Sequence, residues 1–226
     1  MSISRPWMSM PEWFACEDQS IKEEHFFGKR CFAGIAARAK TDLVAKILVF
    51  QEDAAYYVVG HYYISDAFVR SRQFEGWVRD DRPHRTRQSS LDFKTIREEL
   101  KGDLQRFDLV EVGYIPAQLG QFAEELVEHG VPMAGTLPVS RNFSPAMKEI
   151  EALVACRRLH HTGDLVLARG VAGVVCDRAM GHICRVGCKD HFSGGIDPAI
   201  ALMMALMRCL LLRPSEDEPE GEVLAL

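Results

Sequence analysis

The sequence predicts an α/β fold in which helices cover a mixed sheet. Three runs rich in apolar and β-branched residues come first, helical and extended segments then alternate, and one long apolar helix closes the pattern. The chain has 226 residues and is 47% hydrophobic, enough for one domain with a proper core or at most two small ones.

Residues 1–28 mix Trp7, Trp13 and Phe14 with charge and read as an arm packed on a body spanning 29–213. Strand signals cover 31–36, 43–50 and 56–64, and Glu52-Asp53-Ala54 makes the last two a hairpin. Residues 66–88 intersperse Arg with Asp and read as a loop with one short helix around Trp77. Over 91–107, Phe93, Ile96, Leu100 and Leu104 recur at helical intervals, with Ser89 or Ser90 placed to cap them. A strand at 108–114 follows. Pro116 suits the first turn of a helix whose apolar face is Leu119, Phe122, Ala123, Leu126 and Val127, and Gly130 stops it. A short strand covers 132–136. Ser144-Pro145 opens a helix striped by Met147, Ile150, Leu153 and Val154, and short strands are expected at 173–176 and 182–186. The last helix, 196–212, is apolar nearly all round and should be buried.

The formal net charge is −5, and Glu216, Asp217, Glu218, Glu220 and Glu222 account for all of it; without those five the remainder is neutral. The segment 214–226 therefore reads as a solvated, disordered acidic tail. This balance excludes a domain that is basic over its whole surface, as a protein gripping DNA on every side would be. The seven cysteines (Cys16, Cys31, Cys156, Cys176, Cys184, Cys188 and Cys209) are odd in number, and no apolar leader precedes them; reduced thiols in a cytosolic protein are expected. The run 200–212 is interrupted by Arg208 and is too short to cross a bilayer.

Ribonuclease-H-like folds have this order of elements, and other α/β layouts share it. Several local sequences, in order, narrow the comparison. Trp7-Met8-Ser9-Met10-Pro11-Glu12-Trp13 with Cys16, then Gly28-Lys29-Arg30-Cys31-Phe32-Ala33-Gly34, begin the series. Lys40-Thr41-Asp42-Leu43, Ser144-Pro145-Ala146-Met147-Lys148-Glu149-Ile150-Glu151, Arg158-Leu159-His160-His161 with Gly163, and 195–205 continue it. Together they resemble the nuclease half of the terminase large subunits of tailed phages, over about 7–210. No G-x-x-x-x-G-K-[ST] loop occurs, so an ATPase motor is not visible in this polypeptide.

The resemblance implies a nuclease that cuts DNA with two divalent cations, magnesium or manganese, held by aspartates on the first strand, at the end of a central strand and at the start of the last helix. Ala36 and Gly113 stand where the first two are expected, and Asp197 alone remains. Glu111, two positions before Gly113, and Asp42, six past Ala36, are the candidate substitutes; alternatively both are structural, and Asp197 is the cap of the last helix with Pro198 at its first position.

Two further constellations carry chemistry. His182, Cys184, Cys188 and His191 crowd into ten residues and could hold zinc, although the spacing is not that of a standard finger; a loop with incidental thiols is the alternative. Arg70, Arg72, Arg79, Arg82, His84, Arg85 and Arg87, with Lys189, are candidates for phosphate contact, against a solvated loop balanced by Asp80 and Asp81. His160-His161 reads as the end of a helix. The resulting expectation is a nuclease-like domain that does not cut and instead binds DNA or a packaging component (a terminase subunit or the portal) in the cytoplasm of a bacterial host. An active two-metal endonuclease and a zinc-stabilised interaction protein are the rivals.

Overall fold

The computed structural model describes residues 5–37, 43–65, 84–86, 93–179, 182–188 and 195–212, with the backbone alone at 65, 84–86, 179 and 182–188. The helix expected at Trp77, the Ser89 or Ser90 cap and the tail 214–226 lie outside the described residues.

Strands β2 (Arg30–Ala37), β3 (Leu43–Glu52) and β4 (Ala55–Ser65) form an antiparallel meander, and β3 is joined to β4 by the tight turn at Asp53 and Ala54. Helix α2 (Phe93–Arg106) leads into β6 (Asp108–Tyr114), which lies parallel to β2; helix α3 (Pro116–Glu128) leads into β7 (Met133–Gly135), parallel to β6. Gly130 ends this second crossover at φ +82. With β5 (His84–Thr86) the order is β5-β4-β3-β2-β6-β7, and β8 (Leu159–His161) also joins β4. A three-stranded sheet of β1 (Arg5–Pro6), β9 (Val174–Ala179) and β10 (His182–Cys188) stands apart.

Alternation along β2 divides the core. Phe32 and Ala36 join the face covered by α1 (Met10–Phe14), α4 (Ser140–Ala155), α5 (Leu165–Gly173) and α6 (Asp197–Leu211), whereas Cys31, Ala33, Ile35 and Ala37 join the face covered by α2 and α3. Helix α6 lies so close to the sheet that a Cβ at Gly34 would stand 2.0 Å from the Ala201 carbonyl oxygen. The N-terminal segment is a strap around the sheet. Trp7, Trp13 and Cys16 pack on the α6 face, and past Asp18 the strap reaches the opposite face with Ile21 and Phe26.

Two expectations are corrected. Helix α4 begins at Ser140, so Pro145 is inside it: Phe143, only 3% exposed, draws an extra turn into the core. His160-His161 does not end a helix but forms β8, and α5 follows it. The strand expected at 182–186 is present as β10, paired with β9, so the alternative of a loop does not hold for 182–188.

Under α2 and the strap, apolar packing gives way to a chain of charges. The Lys46 ammonium is fully buried and donates to Asp103 at 2.6 Å; Asp103 also receives Arg106 at 2.5 Å, and Arg106 reaches Glu23 at 3.3 Å. Glu23 lies 2.7 Å from His61, which is directly across the ladder from Lys46. Glu99 receives the Tyr63 hydroxyl at 2.5 Å and faces Lys46 at 3.9 Å. Burial and the Lys46 charge hold the His61 imidazole below its ordinary value. Burial alone would push Glu23 up, but His61, Arg106 and Lys46 together bring it below the usual carboxylate range.

Candidate functional site

Helix α6 runs antiparallel to β2 and β6. At one end Arg30 of β2 donates to the Leu212 carbonyl at 2.9 Å; in the middle Gly34 meets Ala201 and Gly113 meets Met204. The first residue of α6, Asp197, is thereby carried to the C-terminal ends of the two parallel strands, the place where open α/β sheets keep their sites. Pro198 seats this end against Gly170 of α5, where a Cβ would come within 3.0 Å of the proline ring. Asp197 is 8% exposed, and Gly195, at φ +70, lies so near that a Cβ there would be 2.7 Å from the carboxylate. The cap of α6 is Ile196, not Asp197; the aspartate sits in the first turn, where a negative charge suits the helix dipole.

Ala36 lies at this head, 1% exposed, on the face turned to α6. Gly113 does not reach it. It pairs with Gly34 beneath the middle of α6, and a Cβ at Gly113 would meet the Met204 Cβ at 3.0 Å and the Arg208 Cγ at 3.4 Å. The parallel register pairs Gly34 with Gly113 and Ile35 with Tyr114; one step further, Ile115 comes abreast of Ala36. Ile115 is buried in the same cluster as Ala36 and is the cap residue of α3. The strand-end position that could face Asp197 is therefore Ile115, two residues beyond the position inferred from sequence. The available signal was Pro116, which begins α3 and so places the strand end immediately before it.

Glu111 is not brought to Asp197. A bulge between Leu109 and Glu111 turns Glu111 toward α6, where its carboxylate is paired with the Arg208 guanidinium. Arg208 is eleven residues beyond Asp197 on one helix, a separation of roughly 16 Å along the axis. Asp42 lies outside the described residues, as do Arg70, Arg72, Arg79, Arg82, Arg87, Lys189 and His191. Arg85 lies on β5, and His182, Cys184 and Cys188 lie on β10, with their side chains undescribed.

A pair of divalent cations needs several hard oxygen donors around both ions. Among the described residues the head offers the Asp197 carboxylate, a methyl at Ala36 and a branched alkyl group at Ile115, and these groups by themselves do not fit two metals. Among the described residues no group of three His, Cys, Asp or Glu side chains could hold a metal ion. No helix among them is long and apolar enough to cross a membrane.

A mixed sheet with a helix laid across its parallel strands is the ribonuclease-H-like fold. Residues 4–212 match the family described as terminase large subunit, endonuclease domain, and the chain belongs to that family. It is 24% identical over 226 residues to protein YmfN of Escherichia coli (strain K12), covering 93% of this chain and 50% of that protein. The large terminase of bacteriophage HK97 superposes with a TM-score of 0.76 at 19% identity, over 92% of this chain and 44% of that one. The large terminase nuclease of the thermophilic phage G20c, solved with bound magnesium, matches with a TM-score of 0.52 at 11% identity, over 80% of this chain and 83% of that one. The chain thus spans about half the length of the curated relative and of the HK97 protein it matches.

Proposed function

We propose that this chain is a non-cleaving member of the terminase nuclease family that serves DNA packaging as a binding module. One observation carries the reading: among the described residues at the head of α6, Asp197 is the one carboxylate, and the ends of the two parallel strands carry Ala36 and Ile115. The frame of the nuclease persists, while the described residues at the head lack the oxygen donors needed to clamp a phosphodiester with two cations. Double-stranded DNA, other terminase subunits and the portal are the partners this reading favours, in the cytoplasm of a bacterial host.

The test is direct. Purified protein incubated with supercoiled plasmid and manganese is expected to leave it intact while retarding it, or a packaging protein, in a binding assay. Nicking that Asp197→Ala abolishes would overturn the proposal in favour of an active enzyme, and about one zinc per chain after chelator-free purification would favour the zinc-stabilised alternative. The position of the missing donor is tested separately. Ala36→Asp with Ile115→Asp is expected to create manganese-dependent stabilisation against heat. Stabilisation by Gly113→Asp instead of Ile115→Asp would refute the geometric assignment.

A further inference from the structure

The strap is fastened to the body through one imidazole. The His161 ring stacks on the Trp13 indole, with centroids 4.4 Å apart and planes 13° from parallel. Both nitrogens are engaged. Nδ1 accepts the Gly163 N–H at 3.1 Å, so the proton is on Nε2, which donates to the Trp13 carbonyl at 2.9 Å. Backbone bonds flank the ring: the Asp18 N–H donates to the His161 carbonyl at 2.9 Å, and the His161 N–H donates to Cys16 at 3.2 Å. Gly163 is committed to its place at φ +75, where a Cβ would lie 2.3 Å from Glu17 Cδ.

This arrangement accommodates only the neutral ring. A second proton must go to Nδ1, where it would confront the Gly163 N–H donor to donor. We propose that His161 is a proton-operated latch, which holds the strap when neutral and frees residues 13–18 from β8 when charged. The latch extends to the candidate site, because α1 packs against α5 and Gly170 of α5 supports Pro198 at the head of α6.

The charged neighbours do not cancel this effect. Glu17 on the strap favours the imidazolium, and His160 on β8 opposes it. Asp18 is bound to the N–H and hydroxyl of Ser20, Asp164 of α5 accepts the Leu167 N–H, and Arg157 donates to the Ala15 carbonyl, with Glu12 beyond it near Cys16. Burial outweighs both the bond to the Trp13 carbonyl and Glu17, each of which favours the charged ring, and leaves the His161 imidazole below its ordinary value. The released strap therefore binds the proton more tightly, and release grows as pH falls below about 6.5.

Amide hydrogen exchange, expressed as protection factors, decides the matter. Between about pH 7.5 and about pH 5, amides of 13–18 and 161 are expected to lose protection relative to those of α6, by about tenfold for each unit the folded value lies below the ordinary one. His161→Gln retains a donor and an acceptor without titrating and is expected to show no such loss. Constant protection in the wild type, or an equal loss in His161→Gln, would overturn the latch. If His161→Gln does not fold, an NMR titration of the wild-type ring decides: a value at or above the ordinary one defeats the proposal.

Discussion

At Gly34 a missing methyl group decides how closely α6 can lie on the sheet. Gly34→Ala places a carbon against the Ala201 backbone, and backbone cannot swing aside as a side chain can. The expected cost is about 3 kcal/mol or more, seen as a lower urea midpoint. Gly120, in α3, is the counter-case: a Cβ there meets nothing within 4 Å, and Gly120→Ala should gain about 0.5–1 kcal/mol. Lys46→Met leaves Asp103, at zero exposure, with Arg106 as its remaining described counter-charge and should cost up to about 3 kcal/mol, whereas Lys46→Met with Asp103→Leu should recover part of the loss, because the desolvated pair is removed together. At this scale sequence was informative where a residue type was out of place. Ala36 and Asp197 could be found by comparison with a motif. Ile115 could not, since one apolar residue before a proline carries no sign of what it replaces. The partners of Lys46 were also hidden; a lysine inside an apolar strand and an aspartate seven residues past Ile96 on the same helical stripe were the traces they left.

Among the elements, those with strong periodicity were legible. The meander, α2, β6, α3 and α6 fall within a few residues of their expected bounds because apolar spacing, Pro116 and Gly130 mark them locally. Elements that rely on distant partners were not. Strand β8 is three residues long and exists by pairing with β4 about a hundred residues away in sequence. Helix α4 starts early because burial of Phe143 outweighs the boundary that Ser144-Pro145 suggests. Helix α5 escaped notice although its start is clear in structure: Asp164 accepts the Leu167 N–H at 2.7 Å. Asp164→Ala should cost about 0.5–2 kcal/mol of stability and Asp164→Asn much less, measured by chemical denaturation, because asparagine also caps.

For the molecule as a whole, acid should be the weak side. His61 and His161 sit below the ordinary imidazole value of 6.5. As pH falls through that value the unfolded chain takes up protons that the folded chain refuses, so stability declines until the folded values are passed. Glu23, held below the usual carboxylate range, contributes stability above its unfolded value that is lost as pH falls through its folded one, extending the decline to lower pH. Thermal melts from neutral to acid pH should show this slope, and His61→Gln with His161→Gln should flatten its upper part; an unchanged slope would refute the assignment. The fold class was readable from composition and order because both come from where apolar residues must go. The chemistry of the head depends on a few atoms, which composition and element order do not position.

Strand β4 is eleven residues long and rich in tyrosine and valine, the profile of a segment that invites foreign chains to add themselves. Its outer rim is covered by two brief guests from remote parts of the polypeptide, β8 along Tyr56–Val58 and β5 along Tyr63–Ser65. Damage to either guest would expose a ready template for self-association, so loss-of-pairing variants at 159–161 should be recognised by turbidity and fibre formation before any loss of helix signal.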